Sequence, residues 1–472
     1  MSSRVAEVVK KEARELVRDG RLLVIGGVAV ILTIAALIFG ARESSRHSRE
    51  REAAQVAADE HWREQGDKNP HVAAHYGMWV FKPHSALAAL DPGVTPFLGA
   101  ALKLEAHRQN LAVASASEDA VGLQRFGALT VASVLQILGP LLVAALGFAL
   151  WSSERERGTL RLLSAAGVPL RVLLAGKALG LTAAVGLTLL PAAVGSFLVV
   201  SGGAPMGRLL GLCVSYLAYF GVFMGLALGC SALASRSRDA LVALVGIWGV
   251  MALVVPRGAA ELAPLWVSPP SHEAFAAEVA RSLQTGLPGG PGREERIEVL
   301  TKELMGDQGF ADADFLMDDT LLQGIELRAE AAYEDEVFEH HVHALMEVLS
   351  AEERFQRVAA WFSPVLAIRS LSMALSGTDF QHHRDFAAQA EVYRRALVDR
   401  LNRDFAENAG TAGWDYKAGK ALWERAPRFE YTPPSLSTTL ETQRMALMAL
   451  GAWLLLSTVF AWVAAHRQRV FA

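Results

Sequence analysis

The stretch WSSERERGTLRLLSAAGVPL, residues 151–170, decides how this chain is read. Apolar sequence runs up to Ser153, four charges follow in Glu154-Arg155-Glu156-Arg157, and a helix-sized run from Thr159 closes on Gly167 and Pro169. Long uncharged tracts lie on both sides. Charges and turn residues placed between two such tracts suit a short connection between membrane helices, where charged heads can reach water.

Working outward, six tracts are free of Asp, Glu, Lys and Arg: 22–41, 126–153, 178–207, 209–235, 240–256 and 445–465. A bilayer-crossing helix needs about 20 residues, so all but the fifth are long enough, and the fifth is nearly so. As buried helices of a soluble protein, six such tracts would need an implausibly large core. With 52% hydrophobic and 20% charged residues, the chain divides into very apolar parts and ordinary ones. The expected fold is an all-α polytopic membrane protein with six transmembrane helices. The first tract is not read as a cleavable signal, because its charged approach is long and Phe39-Gly40-Ala41-Arg42 is a poor cleavage site.

Basic residues orient the spans. Arg4, Lys10, Lys11, Arg14, Arg18 and Arg21 precede the first, and Arg155, Arg157, Arg161, Arg171 and Lys177 join the second to the third. Arg236 and Arg238 lie between the fourth and fifth, and Arg467 and Arg469 follow the sixth, whereas the third-to-fourth connection holds only Arg208. Both termini (1–21 and 466–472) and the segment 154–177 are therefore predicted to be cytoplasmic, and the segments 42–125 and 257–444 extracytoplasmic. Helical spacing of Phe315, Leu316, Leu321, Leu322, Ile325 and Leu327, then of Val337, Leu345, Val348 and Leu349, predicts a mainly helical outer domain built from both segments. A net charge of −4 gives no case for a nucleic-acid partner. Cys213 and Cys230 share one apolar tract, too far apart to meet, so no disulfide framework exists.

In the short segment, Gly158 permits a turn, Thr159 can cap a helix, and Leu160, Leu162 and Leu163 give that helix an apolar face. About two turns are marginal alone in water. The helix needs a surface, either its own spans or a grooved partner registered by the flanking charges. Residues 154–163 also resemble the permease subunits of ABC-2-type ATP-binding cassette transporters. There a Glu-x-Glu-x-Gly-Thr-Leu-like motif precedes a coupling helix that docks into the ATPase. Glu154, Glu156, Gly158, Thr159 and Leu160 match, with Leu162, Leu163 and Pro169 following suitably.

The amphipathic N-terminal run, with Val5, Val8, Val9 and Leu16 on one face, resembles the family's interfacial elbow helix. YGMWVFKPHSALAALDPGVTPFLG (76–99) and SPVLAIRSLSMALSGTDFQHHRDF (363–386) are similar to a bacterial subgroup with large outer loops. The resemblance implies location in the bacterial inner membrane, contact with membrane lipids, a partner ATPase that binds ATP and Mg²⁺, and a second permease subunit, identical or related. Typical members have smaller loops, so no substrate carries over. Glu154, Arg155, Glu156, Gly158, Thr159, Leu160, Leu162 and Leu163 are the expected ATPase-coupling residues.

The chain itself offers no cofactor site. The phosphate-cradling Gly-x-x-x-x-Gly-Lys-Ser/Thr pattern is absent; Gly176-Lys177 lacks the upstream glycine, and Lys177 reads as an interface anchor. The tract interiors hold no ionisable residue for ion coupling, so energy is expected from another polypeptide. Gly221, Gly225 and Gly229 make a small-residue face that admits a close helix, within the chain or across a dimer seam. Outside the spans, Glu339, His343 and Glu347 stack at four-residue steps as candidate metal ligands, although such spacing is commonly a solvated face. Three functions follow: an ATP-driven export permease, an ATP-driven mechanical device acting on an outer partner, and a membrane-anchored metal-dependent enzyme.

Overall fold

The structure, a computed structural model, describes residues 2–113, 129–201, 203–307 and 319–467. The expected start of the second span at Phe126, the apolar positions Phe315 and Leu316, and Arg469 lie outside those residues. Among the described residues, six helices are long and apolar enough to cross a membrane: Arg21–Arg63, Val131–Glu156, Leu170–Val200, Met206–Leu233, Ser237–Trp266 and Arg444–Arg467. Their outward faces carry Leu23, Ile31, Leu187, Leu198, Val214, Leu217 and Leu455, all widely exposed. Water would not tolerate so much contiguous apolar surface. The protein is an all-α polytopic membrane protein.

Absence of charge located the spans but not their ends. The first helix runs on through the charged residues 42–63, and the fifth passes Pro256 to Trp266 with Arg257 and Glu261 turned to the surface. The third begins before Lys177 and stops at Val200, and Pro205 precedes the fourth. The second starts on a capping box between Thr130 and Ser133. Two spans contain a turn of π-helix, Val134–Leu138 and Val250–Val254. Such a turn frees carbonyls that hydrocarbon cannot satisfy. Here Trp248 Nε1 donates to the Ile137 oxygen at 2.9 Å, and Ser363 Oγ to that of Met251 at 2.6 Å.

The small-residue face of the fourth span is filled from within the chain. A Cβ on Gly221 would lie 2.8 Å from Leu454, one on Gly225 2.8 Å from the Ser457 backbone, and one on Gly229 against the Phe460 ring. The sixth span therefore occupies this face. A further helix, Pro364–Ser376, is too short to cross a bilayer, yet Val365, Ile368 and Leu371 are buried in the same core as Ala446, Ala449 and Leu450 of the sixth span.

At one end of the bundle sit the N-terminal helix Ser2–Arg18 and the short helix Thr159–Ala165; we call this the link end. At the other end stands a polar domain. Its main core joins Trp62, Val80 and Leu104 from the first polar segment to Phe386, Leu401 and Trp423 from the second. Within this largely helical domain three short strands form an antiparallel sheet in the order β1 (Met78–Phe81), β2 (Ala101–Glu105), β3 (Arg108–Gln109), with Met78 opposite Leu104. Four-residue alternation is too brief to announce a strand before its partner is known.

Candidate functional site

The four charges at 154–157 divide into separate structural tasks. The second span breaks before Ser152, and the freed N–H groups of Trp151 and Ser152 donate to Ser231 Oγ at 2.9 and 3.3 Å. Beyond the break Glu154 turns inward and is 2% exposed. Its carboxylate meets Lys177 Nζ at 2.8 Å and also pairs with Lys11. Lys177 is fully buried, donates to Glu12 at 2.7 Å and to the Leu150 oxygen at 2.5 Å, and lies 5.0 Å from the Trp151 ring centre. The buried Lys177 is thus met by two buried carboxylates, as a buried charge requires, while the half-buried Lys11 pairs with both of them and with Glu15 at 3.2 Å. Burial opposes the charge on Lys11, but the carboxylates of Glu12 and Glu154 outweigh it and raise that group's pKa.

The N-terminal helix can come this close because Val8 sits over Gly176 and Glu12 over Gly180. Lys177 is therefore not an interface anchor; it is the centre of the cluster. Glu154 is correspondingly closed to a docking partner.

Arg155 donates to the terminal carbonyls of Ala232, at 2.6 Å, and Ala234, where the fourth span ends. Glu156 accepts from Ser237 N at 2.9 Å and Ser237 Oγ at 2.8 Å, where the fifth begins. A cation at a helix C-terminus and an anion at an N-terminus each oppose the helix dipole. Three consecutive side chains thus tie the segment to the third, fourth and fifth spans.

The short helix follows. Its cap is Gly158 at φ 71, not Thr159, whose hydroxyl instead donates to the Glu154 oxygen at 3.2 Å. Gly167 closes it at φ 70. Only glycine takes that left-handed turn without strain. Leu160 is buried and Leu163 half-buried against the bundle, whereas Leu162 is 69% exposed beside exposed Arg157, Arg161 and Ala165. The free face is a leucine within a basic rim.

The predicted metal set does not converge. Glu339 pairs with Arg395 at 2.8 Å, Glu347 with Arg384 at 3.1 Å, and His343 is exposed between them. Each carboxylate found a guanidinium on the neighbouring helix Phe380–Asn408. Among the described residues, three imidazoles that come within ligand distance of one another are His71, His75 and His107. Their signal in sequence was the i, i+4 spacing of HVAAH, with the third member far along the chain. Burial drives His71 and His75 below the ordinary histidine value, helped by His107, while a hydrogen bond to Glu334 raises His107. The other residue missed was Arg208. It is buried and donates to the Ala374 oxygen at 3.1 Å, the Pro434 oxygen at 2.6 Å and Thr439 Oγ1 at 3.3 Å.

With this geometry in place, comparison with known families adds one match. Residues 321–432 match the family model "Domain of unknown function (DUF3526)". That range covers most of the polar domain's second segment and none of the six spans. No curated protein matches the chain.

Proposed function

We propose that the protein is the membrane-spanning subunit of an ABC-2-type transporter in a bacterial inner membrane, with the link end in the cytoplasm and the polar domain outside. A separate ATPase, binding ATP and Mg²⁺, docks on the short helix Thr159–Ala165 and drives export. What carries the reading is that this helix presents Leu162 and its basic rim outward while Glu154, Arg155 and Glu156 grip three spans. A push on the helix must reach all three. The partner's groove is apolar with an acidic rim, which suits Arg157 and Arg161. The basic residues beside the link end support its cytoplasmic side. Since the sixth span fills the glycine face of the fourth, a second permease subunit pairs through another surface.

Purification of the full chain from native membranes is expected to co-isolate an ATP-binding-cassette ATPase. Leu162→Asp with Arg161→Glu alters only exposed side chains, so insertion and thermal stability stay unchanged while ATPase recovery falls at least tenfold. Recovery equal to that of the unaltered chain would overturn the docking role.

A further inference from the structure

We infer that His71, His75 and His107 form a binding site for a divalent transition-metal ion of the imidazole-preferring class, with zinc the representative. The inference is independent of the proposed transport function. One ligand atom from each residue lies within 4.8 Å of the other two. His71 and His75 are one turn apart on the helix Pro70–Tyr76, whose N-cap, Asn69, accepts from His71 N at 2.9 Å. His107 sits in the β2–β3 turn at φ 62, the one positive φ outside glycine among the described residues. That turn is bound to the helix through Ala106 N, which donates to the Ala74 oxygen at 2.9 Å. The backbone therefore holds three rings together at the cost of a left-handed histidine.

The surroundings set the ring nitrogens for ligation. His71 Nδ1 meets Asn402 Oδ1 at 2.9 Å, and His107 Nδ1 meets Glu334 Oε2 at 2.5 Å. An oxygen acceptor at Nδ1 fixes the tautomer and leaves the Nε2 lone pair free, the usual outer arrangement around a metal-bound histidine. His71 Nε2 and His75 Nε2 share a hydrogen bond at 3.1 Å, which ligation would replace with loss of its proton. Tetrahedral zinc with Zn–N bonds of about 2.0–2.1 Å places neighbouring ligand nitrogens about 3.3 Å apart. His71 is buried, with the Trp414 ring edge-on 5.7 Å away, and His75 is exposed. Three protein ligands with one open side leave a fourth position for water or an exchanging ligand.

The Glu339–His343–Glu347 stack lacks these features, since its carboxylates are taken by arginines. The ligands at 71, 75 and 107 come from the first polar segment, whereas Glu334, Asn402 and Trp414 lie within the matched range 321–432. A bound ion would therefore be held by the first polar segment, with its ligand rings supported by the second.

The test uses the full chain in detergent, stripped with chelator and titrated with Zn²⁺ by calorimetry. Co²⁺ serves as a visible-absorption probe of the ligand field. One equivalent of zinc should bind, and cobalt should give the intense bands of a low-coordinate site. His75→Ala, at an exposed position, should weaken zinc binding at least 100-fold with the fold intact. Asparagine tolerates the left-handed turn, so His107→Asn should do the same. Glu334→Gln should weaken binding 10- to 100-fold, and His343→Ala should leave it unchanged. Failure of the unaltered chain to bind zinc, or binding in His75→Ala equal to it, would overturn the site.

Discussion

The two ends of the membrane bundle each bury a cation, and they hold it by opposite means. At the link end Lys177 is answered by the carboxylates of Glu12 and Glu154. At the polar-domain end Arg208 is answered by backbone oxygens, a hydroxyl and the ring of His382 at 3.2 Å, behind which stands Asp379 at 2.5 Å. The first arrangement depends on formal charges, so losing one partner strands another in a dry pocket. The second depends on dipoles, among them the last carbonyls of the helix Pro364–Ser376, and spreads one charge over many acceptors. The link end is thus the more brittle of the two.

The largest effect should come from removing the brittle centre. Lys177→Met leaves Glu12 and Glu154 with Lys11 alone, and a broken buried pair costs about 3–5 kcal/mol. Thermal unfolding in detergent reads the loss, and adding Glu12→Gln should recover part of it. A single-variant cost no larger than that of a surface change would contradict the charge-balanced description.

Acid should act on the opposite end. His84 and His383, both in the polar domain, are pushed down to about 4, chiefly by burial. An unfolded chain takes up these protons near pH 6.5. Between about pH 6.5 and 4 the unfolded state therefore binds more protons, and stability present above that window is lost as pH falls through it. The loss reaches at most about 3 kcal/mol for each group. His71 and His75 act in the same direction, and His107, raised by Glu334, opposes them. Hydrogen exchange should quicken in the helix Phe380–Asn408 at pH 4.5 before it does around residues 152–181. Simultaneous loosening of both ends would erase the distinction.

The smallest effect belongs to Arg208→Lys. It keeps the charge but lacks the planar fork that reaches several acceptors at once. Leaving some of those oxygens unmet costs about 1–3 kcal/mol, seen as faster exchange in Pro364–Ser376 with the link end unchanged.

The same contrast explains what was legible in the sequence. Six tracts without charge announced six spans, because hydrocarbon excludes unpaired charge whatever the fold. Charge marks where apolar surface stops rather than where a helix does, so the first and fifth helices outran their tracts. Lys177 reads as an anchor from sequence because its two carboxylates lie at positions 12 and 154, distant in sequence and joined only by packing. Arg208 looked like an ordinary loop charge for the same reason. The Glu339–His343–Glu347 stack was visible as spacing, but the arginines that disarm it sit on another helix. Gly158 was legible as a turn residue, although its role as the cap in place of Thr159 required the backbone angle.

The first helix has a consequence of scale. It runs unbroken for 43 residues from Arg21 in the bundle to Arg63, and its Trp62 is locked in the polar domain's core. At 1.5 Å per residue it is about 60 Å long, so a swing of about 5° at the near end sweeps the far end through about 5 Å. That exceeds the 4.8 Å span of the three histidine ligand atoms, so a modest rocking within the bundle is geared up to the dimensions of a whole side-chain cluster in the polar domain.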